Sequence, residues 1–445
     1  MSAQHGEWAF ETRALHAGQT PDAQTGARAL PIYQTTSFVF PDAQTAADRF
    51  ALADLGPIYT RLGNPTQQAV EERIASLEGG VGALLLASGQ AATTLAILNV
   101  ASAGDHVVAS SALYGGTYNL LKYTLARLGV STTFVDDITD LGQWRAAVRP
   151  ETKVLFGETV SNPDSKILDV AGVADVAHEA GVPLFVDNTV ATSYLLRPLE
   201  HGADVVLHSA TKYLGGHGTS IGGVIVDGGS FDFAADPARF PGFNEPSASY
   251  HGLVFARDLG VGSPLGANLA FVLKARVELL RDLGSAISPF NAFLIAQGIE
   301  TLALRMDRHV ENTAAVAKYL VAHPQVERVF YASLPDSPYH ALAQRYLPRG
   351  AGAVLSFEIA GGLDAGRAFV DGCELHSHVA NIGDVRSLVI HPASTTHSQG
   401  SDEDRRGAGV TPGLVRLAVG IEHVDDILAD LDRGFAAAAS TTGTD

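Results

Sequence analysis

Residues 208–218 read HSATKYLGGHG. An apolar run at residues 203–207 precedes it and is typical of a buried strand. Lys212 follows two hydroxyl side chains, Ser209 and Thr211, and precedes several glycines. A lysine held there can form an imine with an aldehyde cofactor, while the hydroxyls bind its phosphate and the glycines permit close backbone approach. A surface lysine in a glycine loop is the alternative for the stretch alone.

The strand predicted one step earlier, at residues 183–187, ends in the carboxylate of Asp187. Neighbouring parallel strands bring their carboxyl ends side by side, so we expect Asp187 and Lys212 to face one pocket. Pyridoxal phosphate needs an acidic partner at its ring nitrogen, because the protonated ring is the better electron sink. An isolated aspartate is more often a cap or turn residue, but the pairing with Lys212 favours a cofactor site.

Residues 208–223, HSATKYLGGHGTSIGG, resemble the signature of the cysteine/methionine-metabolism family of pyridoxal-phosphate enzymes. That family includes cystathionine synthases and lyases, methionine lyases and homoserine-ester sulfhydrylases. Other family-like motifs extend from about Thr12 to Glu422. The resemblance implies a fold-type I α/β transferase, with a mostly parallel seven-stranded sheet in a large domain and a smaller α/β C-terminal domain.

Composition limits the classes of protein that remain. The 445 residues are 46% hydrophobic and 18% charged, with a formal net charge of −18. This balance suits a well-buried enzyme with small-molecule substrates and argues against a nucleic-acid or membrane surface. A single cysteine, Cys373, suits a reducing compartment, and the N-terminus lacks the pattern of a signal peptide. We therefore expect a cytoplasmic enzyme.

Alternating strand and helix patterns predict a parallel sheet covered on both faces. We expect an N-terminal arm at 1–63, a large cofactor domain at 64–264 and a C-terminal substrate domain at 265–445, entered through a long helical region. In the resembling family the arm reaches a neighbouring subunit, which implies a homotetramer built from dimers that share active sites.

Several other polar residues stand where a cofactor could be held. Tyr59 and Arg61 alternate on an extended segment, and arginine with a phenol suits a phosphate, although a salt bridge and a packed tyrosine are the commoner arrangement. Ser88, Gly89 and Gln90 open a helix after a strand, which makes an anion site from free N–H groups. The resemblance implies that Tyr59 and Arg61 bind the cofactor phosphate of the adjacent subunit, and that Gly89 and Gln90 bind phosphate through their N–H groups.

The remaining site residues follow other strands. Tyr114 could stack on a flat ring or be an ordinary core tyrosine, and the resemblance favours stacking and a catalytic role. Glu158 and Asn162 end another strand and are expected to line the pocket. Arg416 lies inside an apolar strand, where a buried arginine needs an anion. The resemblance implies that Arg416 binds the substrate carboxylate, with Asn381 assisting.

Two features indicate the reaction within the family. Residues 231–264 form an aromatic insertion that resembles one in O-acetylhomoserine sulfhydrylases, and we expect it to help cover the site. Gly116 stands where methionine γ-lyases tend to carry cysteine. The resemblance therefore implies γ-replacement of O-acetylhomoserine with sulfide, giving homocysteine for methionine biosynthesis. Cystathionine γ-synthase, a cystathionine or methionine γ-lyase, and a silent scaffold of the same fold are the alternatives.

Two competing motifs are rejected. Residues 218–222 fit the G-x-S-x-G pattern of hydrolases, but a glycine-rich loop precedes them and a strand follows, which is the wrong context. His376 and His378 lie near Cys373, but no further ligands follow at a recognisable spacing, so we expect no metal site.

Overall fold

A seven-stranded sheet forms the centre of the large domain in the computed structural model, which describes residues 8–396 and 409–442. The ends of the predicted arm and C-terminal domain, at 1–7 and 443–445, lie outside the described residues. The strands are rich in valine and leucine because both faces of the sheet are covered. They are β1 Gly82–Leu86, β2 His106–Ser110, β3 Ser131–Val135, β4 Thr152–Glu158, β5 Leu184–Asp187, β6 Val205–Ser209 and β7 Gly223–Asp227.

The strand order in this sheet is β1-β7-β6-β5-β4-β2-β3. Strands β2 to β6 pair in parallel, and β7 runs antiparallel to both of its neighbours, β1 and β6. The mostly parallel seven-stranded sheet predicted from the sequence is therefore confirmed. Because β1 and β6 both run against β7, the carboxyl ends of all strands except β7 lie at one edge.

A second sheet of five strands lies in the C-terminal part, in the order β10-β11-β12-β9-β8. Only β10 and β11 pair in parallel. The strands are β8 Val326–Phe330, β9 Val354–Ile359, β10 Ser377–His378, β11 Leu388–Ile390 and β12 Leu414–Ala418. The apolar strand predicted around Arg416 is β12. Hydrophobic patterning does not indicate β8, which is partly exposed, or β10, which has only two residues.

Helices cover both sheets and connect them. In chain order they are α1 Phe10–His16, α2 Ala43–Phe50, α3 Pro65–Glu78, α4 Gly89–Val100, α5 Gly115–Asn119, α6 Leu141–Ala147, α7 Val170–Glu179, α8 Thr192–Leu195, α9 Pro241–Asn244, α10 Phe255–Asp258, α11 Ala270–Lys274, α12 Arg281–Leu283, α13 Pro289–Glu300, α14 Leu302–Ala322, α15 His340–Tyr346, α16 Gly362–Gly372 and α17 Val424–Thr442. Within residues 8–396 and 409–442, no helix is both long enough and apolar enough to cross a bilayer.

The region expected to be helical from Leu265 to His323 is divided into several helices. Gly284 ends the first part in a left-handed conformation, with φ of 78°. A new helix, α13, then begins at Pro289, where the Ser288 hydroxyl caps the N-terminus by accepting from Asn291 N–H. The last helix, α14, packs against both α13 and the C-terminal sheet, so it joins the two parts of the molecule.

The aromatic insertion does not lie where it was expected. Phe233 stacks on Phe243 with a centroid distance of 4.0 Å, and both belong to a buried cluster with Phe271. Arg239 donates to the carbonyl oxygen of Ala180, and Lys153 donates to that of Arg239. Ala180 precedes β5 and Lys153 lies near the start of β4, so this part of the insertion packs at the amino ends of the strands.

The expectation that these aromatic residues help cover the site is therefore wrong for 231–244. Phenylalanine clustering predicted burial, but the sequence pattern does not indicate which edge of the sheet the cluster joins. The segment around Tyr250 packs elsewhere, against Val277 and Arg281. The Tyr250 hydroxyl donates to the carbonyl oxygen of Val277 at 3.0 Å, and the Arg281 guanidinium lies over its ring.

Candidate active site

The ends of β4, β5 and β6 bring the predicted acid and lysine segments together. Glu158 and Asp187 are register partners, and Asp187 is the partner of Leu207, two residues before Ser209. Thr189 connects the strand ends, because its N–H donates to Asp187 Oδ1 at 2.9 Å and its hydroxyl accepts from Ser209 N–H at 2.8 Å. The structure thus places Asp187 and the segment of Lys212 at one edge of the sheet, as their order in the chain predicts.

The buried carboxyl of Glu158 and the partly buried carboxyl of Asp187 lie side by side at this edge. Burial raises the pKa of Glu158 well above its usual value, and the charge of neighbouring Asp187 raises it further, although the Tyr114 N–H donates to Glu158 Oε1 at 2.6 Å. Burial also raises the pKa of Asp187, against hydrogen bonds from Thr189. A cationic ring nitrogen at Asp187 would oppose this effect, because an opposite charge favours the ionised carboxylate.

Lys212 extends from the loop after β6 toward the C-terminal domain. Its Nζ donates to Asn381 Oδ1. Burial lowers the pKa of Lys212, and the nearby positive charge of Arg416 lowers it further. Gly383, with φ of 74°, packs against the lysine so closely that a Cβ there would lie 2.8 Å from Lys212 Cβ. The environment therefore favours the uncharged amine, which is the nucleophilic form.

Arg416 lies partly buried in β12, and no ion pair to it occurs within residues 8–396 and 409–442. Its Nη2 donates to the carbonyl oxygen of Asn381 at 2.8 Å and its Nη1 donates to Asn162 Oδ1 at 3.3 Å. Its Nε is buried and has no hydrogen-bond partner among the described residues. Burial lowers the pKa of Arg416 to about 10. Because a buried guanidinium needs an anion, an acidic ligand is the group that this arrangement would bind.

The N-terminus of α4 and the end of β6 form a close-packed cradle. A Cβ at Gly89 would lie 2.7 Å from Ser209 Cβ and 3.0 Å from its Oγ, and a Cβ at Gly223 would collide with the Ser88 carbonyl oxygen. Only glycine fits at both positions. The first N–H groups of α4, with Gly89 and Gln90 at its start, and the Ser209 hydroxyl are therefore available to one anion.

Two predicted phosphate ligands are engaged elsewhere. The Thr211 hydroxyl donates to the Gly222 carbonyl oxygen at 3.2 Å and accepts from Gly222 N–H at 3.1 Å. The Ser88 hydroxyl caps α4 by accepting from Ala91 N–H at 3.1 Å. Both residues shape the cradle, and their hydroxyls make local backbone contacts.

Tyr114 lies at the open side of the site. Its side chain is 55% exposed, directly before α5, so the ring is free to cover a ligand. A Cβ at Gly116 would lie 2.5 Å from Cε1 of this ring. The glycine therefore leaves room for the position that the Tyr114 ring adopts, whereas a cysteine there would push the ring away.

Tyr59 and Arg61 lie in a different cavity. Arg61 donates to the carbonyl oxygen of Arg281, and its guanidinium lies 5.5 Å from the centre of the Tyr59 ring. The cavity measures about 270 Å³ and is lined by Gln34, Thr35, Thr36, Tyr59, Thr60, Arg61, Ala286 and Pro289. Within the described part of the chain, no hydrogen bond or ion pair joins either residue to Lys212, Asp187 or the α4 cradle.

Comparisons with known proteins show the family to which this chain belongs. The family model for Cys/Met-metabolism PLP-dependent enzymes matches residues 11–436. The chain belongs to this family. It is 56% identical over 434 residues to an O-acetyl-L-homoserine sulfhydrylase of Corynebacterium glutamicum, covering 97% of this chain and 98% of the relative. It is 51% identical over 432 residues to a homocysteine synthase of Schizosaccharomyces pombe, covering 96% and 98% of the two chains.

A crystal structure from Campylobacter jejuni matches with a TM-score of 0.91 and 39% identity, over 96% of this chain and 100% of that one. That protein is assigned as an O-acetylhomoserine (thiol)-lyase and is described as carrying N'-pyridoxyl-lysine-5'-monophosphate. The predicted family, fold class and pyridoxal phosphate cofactor are thereby confirmed for this PLP-dependent enzyme.

Residues of this family member fit the cofactor as a set. The α4 cradle offers N–H groups and a hydroxyl to a phosphate, Asp187 offers a carboxylate, and Lys212 offers an amine whose uncharged form is favoured because burial lowers its pKa. We assign the phosphate to the cradle, the ring nitrogen to Asp187 and the aldehyde to Lys212 as a proposal.

Sequence patterning missed a buried polar network behind Asp187. His208 Nε2 lies 2.7 Å from Glu78 Oε1, and the same oxygen accepts from Asn188 Nδ2 at 3.2 Å. Asn188 also donates to the Leu196 carbonyl oxygen, which fixes the turn after β5. Glu78 lies far away in the sequence, so only its position at the end of an otherwise apolar helix face could have signalled this role.

The structure also adds a residue to the rejected metal cluster. Cys373, His376 and Asp430 offer ligand atoms within 4.8 Å of one another. Asp430 already accepts from three backbone N–H groups, at residues 374–376, and its Oδ2 lies 2.7 Å from His376 Nδ1. Burial raises the pKa of the Cys373 thiol to about 12, which disfavours the thiolate that metals bind. The cluster is a hydrogen-bonded joint between α17 and the segment after α16.

The electrostatic effect of Arg416 on Lys212 can be tested through pH. Only the uncharged amine reacts with an aldehyde, and Arg416 lowers the pKa of Lys212. Replacing Arg416→Met removes that positive charge, so the pKa of Lys212 should rise and the rate at which apoprotein combines with pyridoxal phosphate should reach its plateau at higher pH. The measurement is this rate across a pH series.

A suitable control is Arg145→Met, which removes an exposed arginine paired with Glu179 on the surface. Its pH profile should match that of the unchanged protein. An Arg416→Met profile that stays in place, or moves to lower pH, would contradict the proposed coupling.

Proposed function

We propose that this enzyme converts O-acetylhomoserine and sulfide to homocysteine and acetate by replacement at Cγ, a step toward methionine. The observation that carries the proposal is the pairing of Lys212 with Arg416 through Asn381, which binds one residue by its side chain and the other by its carbonyl oxygen. An amino acid whose carboxylate binds Arg416 has its α-carbon directed to Lys212. The names of the relatives supply the ester and the sulfur donor.

When bound, pyridoxal phosphate supplies an electron-withdrawing ring that stabilises negative charge at the substrate. Arg416 binds the α-carboxylate with its guanidinium, whose buried Nε has no partner in the described part of the chain. Lys212, with its lowered pKa, removes the proton from Cα and then one from Cβ. Acetate leaves Cγ with the bonding electron pair, hydrosulfide forms the new C–S bond, and protons return to Cβ and Cα.

Tyr114 and Glu158 are proposed to assist from the open side. The exposed Tyr114 ring can cover the reacting group, and its N–H is fixed on Glu158. Burial and the charge of Asp187 both raise the pKa of Glu158, which favours Asp187 as the carboxylate that would face the positive ring nitrogen. Asn162 orients Arg416 through its side-chain oxygen.

A lyase of the same family is the second candidate. The sulfhydrylase assignment is favoured by Gly116, which accommodates the Tyr114 ring. A scaffold that has lost activity is disfavoured, since such a chain would be expected to lose residues such as Lys212, Asp187 or Arg416. The single cysteine, Cys373, supports the proposal that the enzyme works in the reducing cytoplasm.

The substrate assignment is tested by comparing specificity constants, which measure transition-state preference. The value for O-acetylhomoserine with sulfide should exceed that for cystathionine cleavage or methionine elimination by at least about tenfold. Homocysteine, acetate and keto acid are quantified in parallel, and O-succinylhomoserine tests the choice of ester. Lys212→Ala protein serves as the control for uncatalysed reaction. Faster cystathionine cleavage would reassign the enzyme to the lyase branch.

We also propose a homotetramer built from dimers with shared sites, in which the arm within residues 1–63 completes a neighbouring site. Arg61 and Tyr59 line a cavity separate from Lys212, which suits a phosphate brought by another subunit. Apolar side chains around the arm are exposed in the single chain, including Val39 at 93% and Phe50 at 60%. Large exposed apolar patches mark contact surfaces.

Subunit mixing tests this arrangement. Arg61→Ala and Lys212→Ala proteins should each be nearly inactive, because each lacks one component of every site. After subunit exchange, a mixed dimer regains one intact site of two. When equal amounts pair at random, about half of the dimers are mixed, so about a quarter of the normal total activity should return. Verified exchange without recovery would show that Arg61 and Lys212 act within one subunit.

A further inference from the structure

Three buried polar residues lie on one face of α14. Arg305, His309 and Asn312 are spaced by four and three residues, which places them in one row along the helix. All three are at least 96% buried. Polar groups at such positions are retained only with partners, so the contacts of this row show what it holds.

Arg305 holds the loop that carries Lys212. Its guanidinium donates to the carbonyl oxygens of Tyr213 at 2.7 Å, Gly298 at 2.6 Å and Leu214 at 3.4 Å. Burial lowers the pKa of Arg305 to about 10, and no ion pair to it occurs within residues 8–396 and 409–442. A Cβ at Gly216 would collide with the guanidinium, so the loop and the arginine are fitted to each other.

His309 and Asn312 hold the end of β12, the strand that carries Arg416. His309 Nδ1 donates to the Val419 carbonyl oxygen at 2.7 Å, and its ring meets the Tyr213 ring edge-on, with centroids 5.3 Å apart. Asn312 Nδ2 donates to the carbonyl oxygens of Gly420 and Glu422, each at 2.9 Å. The two ends of one helix face thus contact the segments next to Lys212 and next to Arg416.

We propose that Arg305 and Asn312 are positioning residues that set the separation between Lys212 and Arg416. Seven residues of α-helix span about 10 Å, and a helix is stiff over that length. Neither residue touches the reacting atoms; each fixes a backbone segment that carries a reacting or binding side chain. This inference rests on the proposed roles of Lys212 and Arg416. Arg305 fixes the loop next to Lys212, and Asn312 fixes the end of the strand that carries Arg416.

A backbone connection makes the test feasible. Val385 N–H donates to the Gly216 carbonyl oxygen at 2.9 Å, and its own carbonyl accepts from Ile421 N–H at 2.9 Å. The two segments therefore stay connected when one side-chain contact is lost. A single variant should shift a segment without detaching it.

The experiment compares Arg305→Lys and Asn312→Ala with Arg308→Ala, whose exposed arginine lies on the same helix and pairs with Glu311. Arg305→Lys should lower kcat about tenfold and change the pH dependence of the cofactor's absorption band, with KM for the amino acid nearly unchanged. Asn312→Ala should raise that KM about tenfold and leave the band unchanged. Small displacements at a reacting centre are known to have effects of this size or larger. Arg308→Ala should match the unchanged enzyme.

If Arg305→Lys does not fold, Arg305→Gln replaces it, because a glutamine amide can still donate to a carbonyl oxygen of the lysine loop. If Asn312→Ala does not fold, His309→Leu and His309→Gln replace it, and His309→Gln should keep the normal KM because glutamine can still donate to Val419. Variants that lose only heat stability, or that all change the same kinetic parameter, would overturn the proposal. The absorption band can be followed with any amino acid that binds. Failure of the unchanged enzyme to use O-acetylhomoserine would therefore count against the proposed function and not against this inference.

Discussion

The parallel pairing of β4, β5 and β6 is the constraint on which the site depends. It makes Glu158 and Asp187 register partners and carries Ser209 just beyond them. Side chains so far apart in the sequence meet because parallel strands end at one edge. The close approach of α4 at Gly89 then adds N–H groups beside the same edge. A shift of one residue in β5 would turn Asp187 to the opposite face and remove the acid from the site.

Two arginines, Arg305 and Arg416, have no ion pair within the described ranges 8–396 and 409–442. Arg305 is buried and Arg416 is partly buried, and burial lowers the pKa of each to about 10. Their surroundings differ in a way that separates their functions. The Arg305 guanidinium is engaged by three carbonyl oxygens and the Thr301 hydroxyl, so it stabilises the fold, whereas the buried Nε of Arg416 has no partner among the described residues and can bind an acidic ligand. The arginine at position 305 thus stabilises the fold, whereas the arginine at position 416 is available to a ligand.

Much of this architecture is readable from the sequence. Alternating strand and helix patterns predicted a mostly parallel sheet, the family resemblance implied its seven strands, and residues 208–218 predicted the lysine loop. Long-range partners were not predictable, because no local pattern specifies which distant carbonyl a buried arginine meets. Arg305 looked like one charge in an amphipathic helix, although its spacing from His309 and Asn312 was a signal. The position of the Phe233 cluster was also hidden, since hydrophobicity predicts burial but not the edge of the sheet.

The central claim is that Lys212 is the residue that binds the cofactor covalently. The direct measurement is to reduce the holoenzyme with borohydride, digest it and locate the pyridoxyl mass by peptide mass spectrometry, with Lys212→Ala protein as control. A single modified peptide containing Lys212 is expected from the unchanged enzyme, and no modified peptide from the variant. Stoichiometric modification of another lysine, or equal modification in the Lys212→Ala protein, would contradict it.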